Sequence, residues 1–209
     1  MRRTVVGLLI LIVSIAFAVT ALADDAADYK IKVGDKEVGK AKVRITKQGD
    51  KELVKVELRY TFKGDKYVIK QEAKYKGNRV VEFTSEFKKN DKVNSVIGSY
   101  KEKDGEYVIF VGAKRREFPA SQIKAFSTDP FVGIRPKQTG KITILDLAAG
   151  KIGVRTIKRD GNTDRWVYPE GWKRDKFTYN PPSKLPVQIK LKRGPEKDHK
   201  DLVLKRVWK

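Results

Sequence analysis

His199 is the one imidazole in the chain and stands in the charged run Pro195–Lys200, with Asp198 and Asp201 on either side. Joined to one of those acids, and with Ser121 or Ser183 as nucleophile, it would make a hydrolytic triad. The run around it reads instead as a solvated turn between two strands. No Gly-x-Ser-x-Gly elbow, phosphate-binding loop, His-Glu-x-x-His or calcium-loop pattern occurs. Glu82 and Glu86 are spaced as paired carboxylates, yet they share a strand face with lysines, where cross-strand ion pairing accounts for them. A carboxyl that works as a general acid needs an apolar wall against it. With no cysteine, disulfides, thiolate metal sites and cysteine nucleophiles drop out together. The expectation is a protein that is not an enzyme and holds neither metal nor cofactor.

The elements that would have to position any site are strands. Turn signals recur at Gly34-Asp35, Gly49-Asp50, Gly64-Asp65, Gly77-Asn78, Asn90-Asp91 and Asp104-Gly105, at gaps of 15, 15, 13, 13 and 14 residues. Between them the sequence alternates with period two. Val54, Val56, Leu58, Tyr60 and Phe62 fall on one face, and Lys55, Glu57, Arg59 and Thr61 on the other. Tyr67, Ile69, Ala73 and Tyr75 alternate with polar neighbours, as do Val81, Phe83 and Phe87. In Val93–Tyr100 the alternation fades and leaves the inward face open.

Strands this long, apolar on one side, must curl around that side. The expected fold is therefore all-β, an antiparallel meander closed into a barrel or half-barrel. Residues 112–140, with Pro119, Pro130, Pro136 and the basic pair Arg115-Arg116, read as an irregular insertion holding a helical turn or two in Ser121–Phe126. Strands resume at Lys141–Leu147 and Ile152–Lys158. An aromatic loop follows, Trp166 to Tyr179, and Pro186–Lys192 and Leu202–Trp208 close a single domain spanning residues 24–209.

Residues 1–23 are set apart from that domain. Arg2 and Arg3 precede an apolar run from Val5 to Val19, and Ala21-Leu22-Ala23 fits a secretory cleavage site. The alternative is an uncleaved anchor, since a span needs about 20 residues. Either way the rest of the chain is exported, and periplasmic or secreted localisation is expected. Cleavage leaves a formal charge of +19, carried by 33 Lys and 12 Arg against 26 acids. Such a surface draws anions. Lys40, Lys42 and Arg44 form one basic row, Lys190 and Lys192 another, and Arg115 and Arg116 add a third cluster. The partners this suggests are lipid or another anionic component of the cell envelope, with peripheral membrane contact; lysine bias and export argue against nucleic acid.

The apolar face supplies the binding residues: Val54, Val56, Leu58, Tyr60, Tyr67, Ile69, Tyr75, Phe83 and Phe87, joined by Trp166 and Trp172 from the aromatic loop. They suit an amphiphilic ligand whose apolar chain lies inside and whose anionic head meets lysines at the rim. Two alternatives stand beside this reading. One is an outer-membrane barrel with its apolar face to lipid; the other is a structural or interaction module with a filled core.

Tyr29–Gly39 followed by Lys40–Thr46 resembles the opening hairpin of certain exported bacterial families of unknown function. Ile142–Lys151 is similar to their mid-chain strand pair, and Leu185–Ile189 to a late strand. The resemblance implies a curved sheet akin to the lipoprotein-carrier barrels, apolar on its concave side, with no catalytic residues to carry over.

Overall fold

The computed structural model describes residues 25–171, 173–192 and 201–208. The proposed signal segment, Trp172 and His199 therefore lie outside the described residues. The chain forms one sheet of 15 strands. Its first arm runs β1 (Asp25–Val33), β2 (Lys36–Gln48), β3 (Lys51–Phe62), β4 (Asp65–Lys76), β5 (Arg79–Lys89), β6 (Lys92–Lys101), β7 (Glu106–Val111) and β8 (Lys114–Pro119). The second holds β9 (Ala125–Phe126), β10 (Gly140–Asp146), β11 (Lys151–Asp160), β12 (Thr163–Val167), β13 (Arg174–Tyr179), β14 (Pro186–Lys192) and β15 (Leu202–Val207). β1 pairs with β15 in the middle, and each arm meanders outward from that seam. Every pairing is antiparallel except β9 with β10, where Ala125 lies opposite Ile144.

Period-two patterning dictates this arrangement. Tyr29, Ala41, Leu58, Ile69 and Phe87 form one inward row across β1 to β5, each opposite the next. The outward faces carry the charge, with Lys55–Glu72, Lys70–Glu86 and Lys74–Glu82 as cross-strand ion pairs. On β3 to β5 that outer face is charged where a membrane barrel carries an apolar band. The structure also settles the parity of β6: Val96 and Gly98 point inward, while Val93 and Ile97 are exposed.

The two arms meet at their free ends. Gly150, in the turn between β10 and β11, abuts Val96, Ile109 and Val111, and its carbonyl accepts from Arg116 Nη1 at 3.1 Å. Between the arms runs the segment from Ala120 to Thr139, which the sequence marks as irregular. The expected insertion, residues 112–140, is irregular only in part, because Lys114–Pro119 within it pairs along β7 as β8. A single 3-10 turn, Ala120–Gln122, stands where helical turns were expected, and a second spans Asp129–Val132. The middle of the segment, Ala125 to Val132, is core. Phe126 packs edge-on against Tyr75 and Tyr107, Phe131 against Phe177, and Tyr179 Oη donates to the Pro130 carbonyl at 3.0 Å.

The expected aromatic loop is also corrected. Trp166 and Phe177 sit on paired strands, β12 and β13, with their side chains inward. Inward-facing Asp164 and Asp175 interrupt the apolar alternation there, which is why it does not read as strand in the sequence.

Close approach of the strands also requires glycine at Gly39. Gly39 faces Tyr60 across β2 and β3, and a Cβ there would fall into the Arg59 carbonyl oxygen and the Tyr60 backbone. Gly39→Ala is expected to cost about 1–3 kcal/mol, as overpacking in a tight interior does. Urea unfolding checks this, and an unchanged midpoint would contradict it.

Candidate functional site

At the end of the fold where β3 passes into β4, the arms do not close on each other. They leave a cavity of about 490 Å³. From the first arm it is lined by Leu58, Tyr60 and Phe62 of β3, Tyr67, Ile69 and Gln71 of β4, and Phe87 of β5. The second arm contributes Ile144, Trp166, Phe177, Leu191 and Leu202, and the crossing segment Ser127 and Phe131. Tyr60 and Tyr67 stack with ring centroids 4.9 Å apart, making one aromatic wall. Trp166 and Phe177 make another, edge to face at 6.2 Å. The volume falls within the usual range for small-molecule sites, about 300–1,000 Å³.

Polar groups gather on one side of this apolar space. Arg155 of β11 points inward, stacks on the Tyr168 ring at 3.6 Å and donates to the Val154 carbonyl at 2.8 Å. Lys173 lies over the same ring at 4.2 Å. Tyr168 Oη donates to Asp175 at 3.0 Å, and Asp146 Oδ1 caps its own turn by accepting from the Ala148 and Ala149 N–H groups. A larger depression, about 730 Å³, lies at the opposite end of the strands; it is lined mainly by polar turn residues such as Asp50, Lys51 and Asn78.

Of the residues singled out from the sequence, Leu58, Tyr60, Tyr67, Ile69, Phe87 and Trp166 come together on the cavity wall. Val54 and Val56 lie instead in the close-packed core. Phe83 also lies there, with its ring over Gly98. Tyr75 shares the inward face but serves the crossing segment, bonding Thr128 Oγ1 at 2.6 Å and donating to Asp129 Oδ1 at 2.9 Å.

The basic residues do not form one rim: β1 and β15 lie between β2 and β14, and β3 to β7 lie between β2 and β8. On β2 the basic row is partly neutralised: Arg44 pairs with Asp28 at 2.7 Å, and Lys42 lies opposite Asp28 and Glu57. Lys40 lies opposite Lys30 and Arg59. Arg115 pairs with Glu117, and Arg116 holds Gly150 as described. Lys190 and Lys192 lie outside the second arm, beside Arg165, Arg174 and Lys176. There Lys158, Arg165, Lys176 and Lys190 are opposed across four strands.

Lys173 belongs to the aromatic loop the sequence points to, whereas the cavity's other charges, Arg155, Asp146 and Asp175, have no counterpart in the sequence reading. A signal for one existed, since Arg155 occupies an inward position two residues before buried Ile157. Two acids elsewhere in the interior matter for stability. Burial pushes the Asp164 carboxyl up, but Arg135 and Arg159 together hold it below its ordinary range. Burial raises Asp129 to about 7, against the opposing hydrogen bonds from the Phe126 N–H and Tyr75 Oη.

No match is found among curated proteins. The chain is similar to the crystal structure of a beta-barrel-like protein of domain of unknown function DUF1849 from Brucella abortus. The likeness is 11% identity at a TM-score of 0.45, covering 87% of this chain and 94% of that one. A family model described as domain of unknown function, DUF6134, matches residues 29–179, which run from β1 to the end of β13 and hold all of the cavity lining except Leu191 and Leu202. That match spans well over half of the chain, and the protein belongs to the DUF6134 family.

Proposed function

We propose that this is an exported, noncatalytic binding protein of the periplasm that carries a single amphiphilic molecule in the cavity between its two arms. The observation behind this reading is the lined cavity of about 490 Å³, apolar over most of its wall and polar on one side. A core built only for stability closes such space, because each lost contact costs dispersion energy and cavities destabilise. An apolar chain returned to the space recovers that energy at about 0.8 kcal/mol per methylene. The lipoprotein-carrier likeness belongs to this proposal, as does the leader in residues 1–23. The cationic outer face favours approach to anionic envelope surfaces.

Filling the cavity tests the reading. Ile69→Phe combined with Ile144→Phe inserts side-chain volume from both arms. In calorimetric titration with decanol, wild type is expected to bind one molecule saturably, and the filled variant at least about ten-fold more weakly, the equivalent of two excluded methylenes. Unchanged decanol binding in the filled variant would remove the cavity from the proposal.

A further inference from the structure

Within that proposed role, and resting on it, we infer that the ligand is a carboxylate-headed amphiphile whose head is held by Arg155 and Trp166. Two observations converge. Trp166 is only 4% exposed, lines the cavity, and its Nε1–H has no hydrogen-bond partner, the one buried side-chain nitrogen or oxygen so left among the described residues. A buried donor without an acceptor costs about 1–3 kcal/mol, so native proteins rarely retain one without a use.

Arg155, 8% exposed, is the second. Among the described residues its guanidinium makes one hydrogen bond, to the Val154 carbonyl, and its ion pair is long, with Nη2 3.8 Å from Asp146 Oδ2. Even less buried arginines of this chain are held closely: Arg135 and Arg159 both reach Asp164 at 2.7–2.8 Å. Arg155 therefore keeps donors to spare in a planar fork that matches a carboxylate. Stacking on Tyr168 fixes that plane. Gly153 leaves room for it, since a Cβ there would come within 3.2 Å of Arg155 Nη1.

The two donors are also placed for one head group. Ile157 lies opposite Trp166, so Arg155 and Trp166 are inward-facing diagonal neighbours across β11 and β12. Such positions are about 7–8 Å apart, a gap that a carboxylate accepting from both side chains spans. Asp146 and Asp175 also line the cavity, but each is already engaged, by the turn amides and by Tyr168 Oη. The acyl chain then runs from this corner toward Leu58, Ile69 and Phe87 on the other arm.

The test uses three probes of equal chain length on the full exported chain: decanoate, decanol and decyltrimethylammonium. Decanoate is expected to bind tightest. Arg155→Met should weaken decanoate by about ten- to one-hundred-fold, the worth of hydrogen bonds to a charged group, while changing decanol less than about three-fold. In the unsubstituted protein, the Trp166 indole N–H resonance should move downfield when decanoate is added and stay in place with decyltrimethylammonium. Decanol binding with no preference for decanoate and no indole shift would overturn the head-group assignment and leave the cavity reading intact. Failure of all three probes to bind would overturn both.

Discussion

Asp164→Ala is expected to lower the unfolding free energy by about 2–4 kcal/mol, the cost of losing several hydrogen bonds to a charged group. Asp164 lies on the inward face of β12 and is 1% exposed. Arg135 reaches it from the crossing segment with two hydrogen bonds, 2.7 and 2.9 Å, and Arg159 from β11 with bonds of 2.8 and 3.3 Å. The same guanidiniums donate to the Gly161 and Pro136 carbonyls, so the carboxylate fixes the crossing segment to the second arm. Loss of the acid leaves two partly solvated cations facing each other across the gap. Urea unfolding measures the loss, and limited proteolysis should show earlier cleavage after Lys137. A change below about 1 kcal/mol would mean that the cluster is no stronger than a surface pair.

The second large effect depends on pH. Unfolded, the Asp129 carboxyl releases its proton near its ordinary 3.8; folded, burial holds the proton until about 7. Between those values the unfolded chain binds fewer protons than the folded one, so Asp129 lowers stability as pH rises and its effect levels off above about 7. Over the whole window the loss is roughly 4 kcal/mol. Asp129→Asn cannot ionise and keeps an oxygen for Tyr75 Oη, though it gives up the acceptor for the Phe126 N–H. Wild type is therefore expected to exceed the variant by the largest margin near pH 4, with the difference shrinking steadily toward pH 7. Urea unfolding at four or five pH values checks this, and a difference independent of pH would contradict it.

Much of the architecture was legible because an antiparallel strand with one wet face writes its burial into every second residue. Val54, Val56 and Leu58 against Lys55 and Glu57 needed no other information. The reading weakened where inward positions carry charge. Asp164, Asp175 and Arg155 occupy core parity, so β12 and β13 looked like loop, and the polar side of the cavity passed unnoticed. β8 was missed for a related reason: Lys114, Arg115, Arg116 and Glu117 lie on an edge strand, where charge discourages further pairing and hides the alternation. Whether an inward aromatic meets another side chain or open space depends on how the arms approach. Tyr75 and Tyr67 are both inward residues of β4, yet the first is sealed under the crossing segment and the second lines the cavity.

The most direct measurement is native mass spectrometry of the protein expressed from its full sequence, residues 1–209, and recovered gently from the cells. The expected result is a mass excess that vanishes on denaturation, corresponds to one extractable amphiphile, and falls away in the Ile69→Phe, Ile144→Phe variant. A bare polypeptide mass, both as isolated and after incubation with decanoate and decanol, would contradict the carrier role.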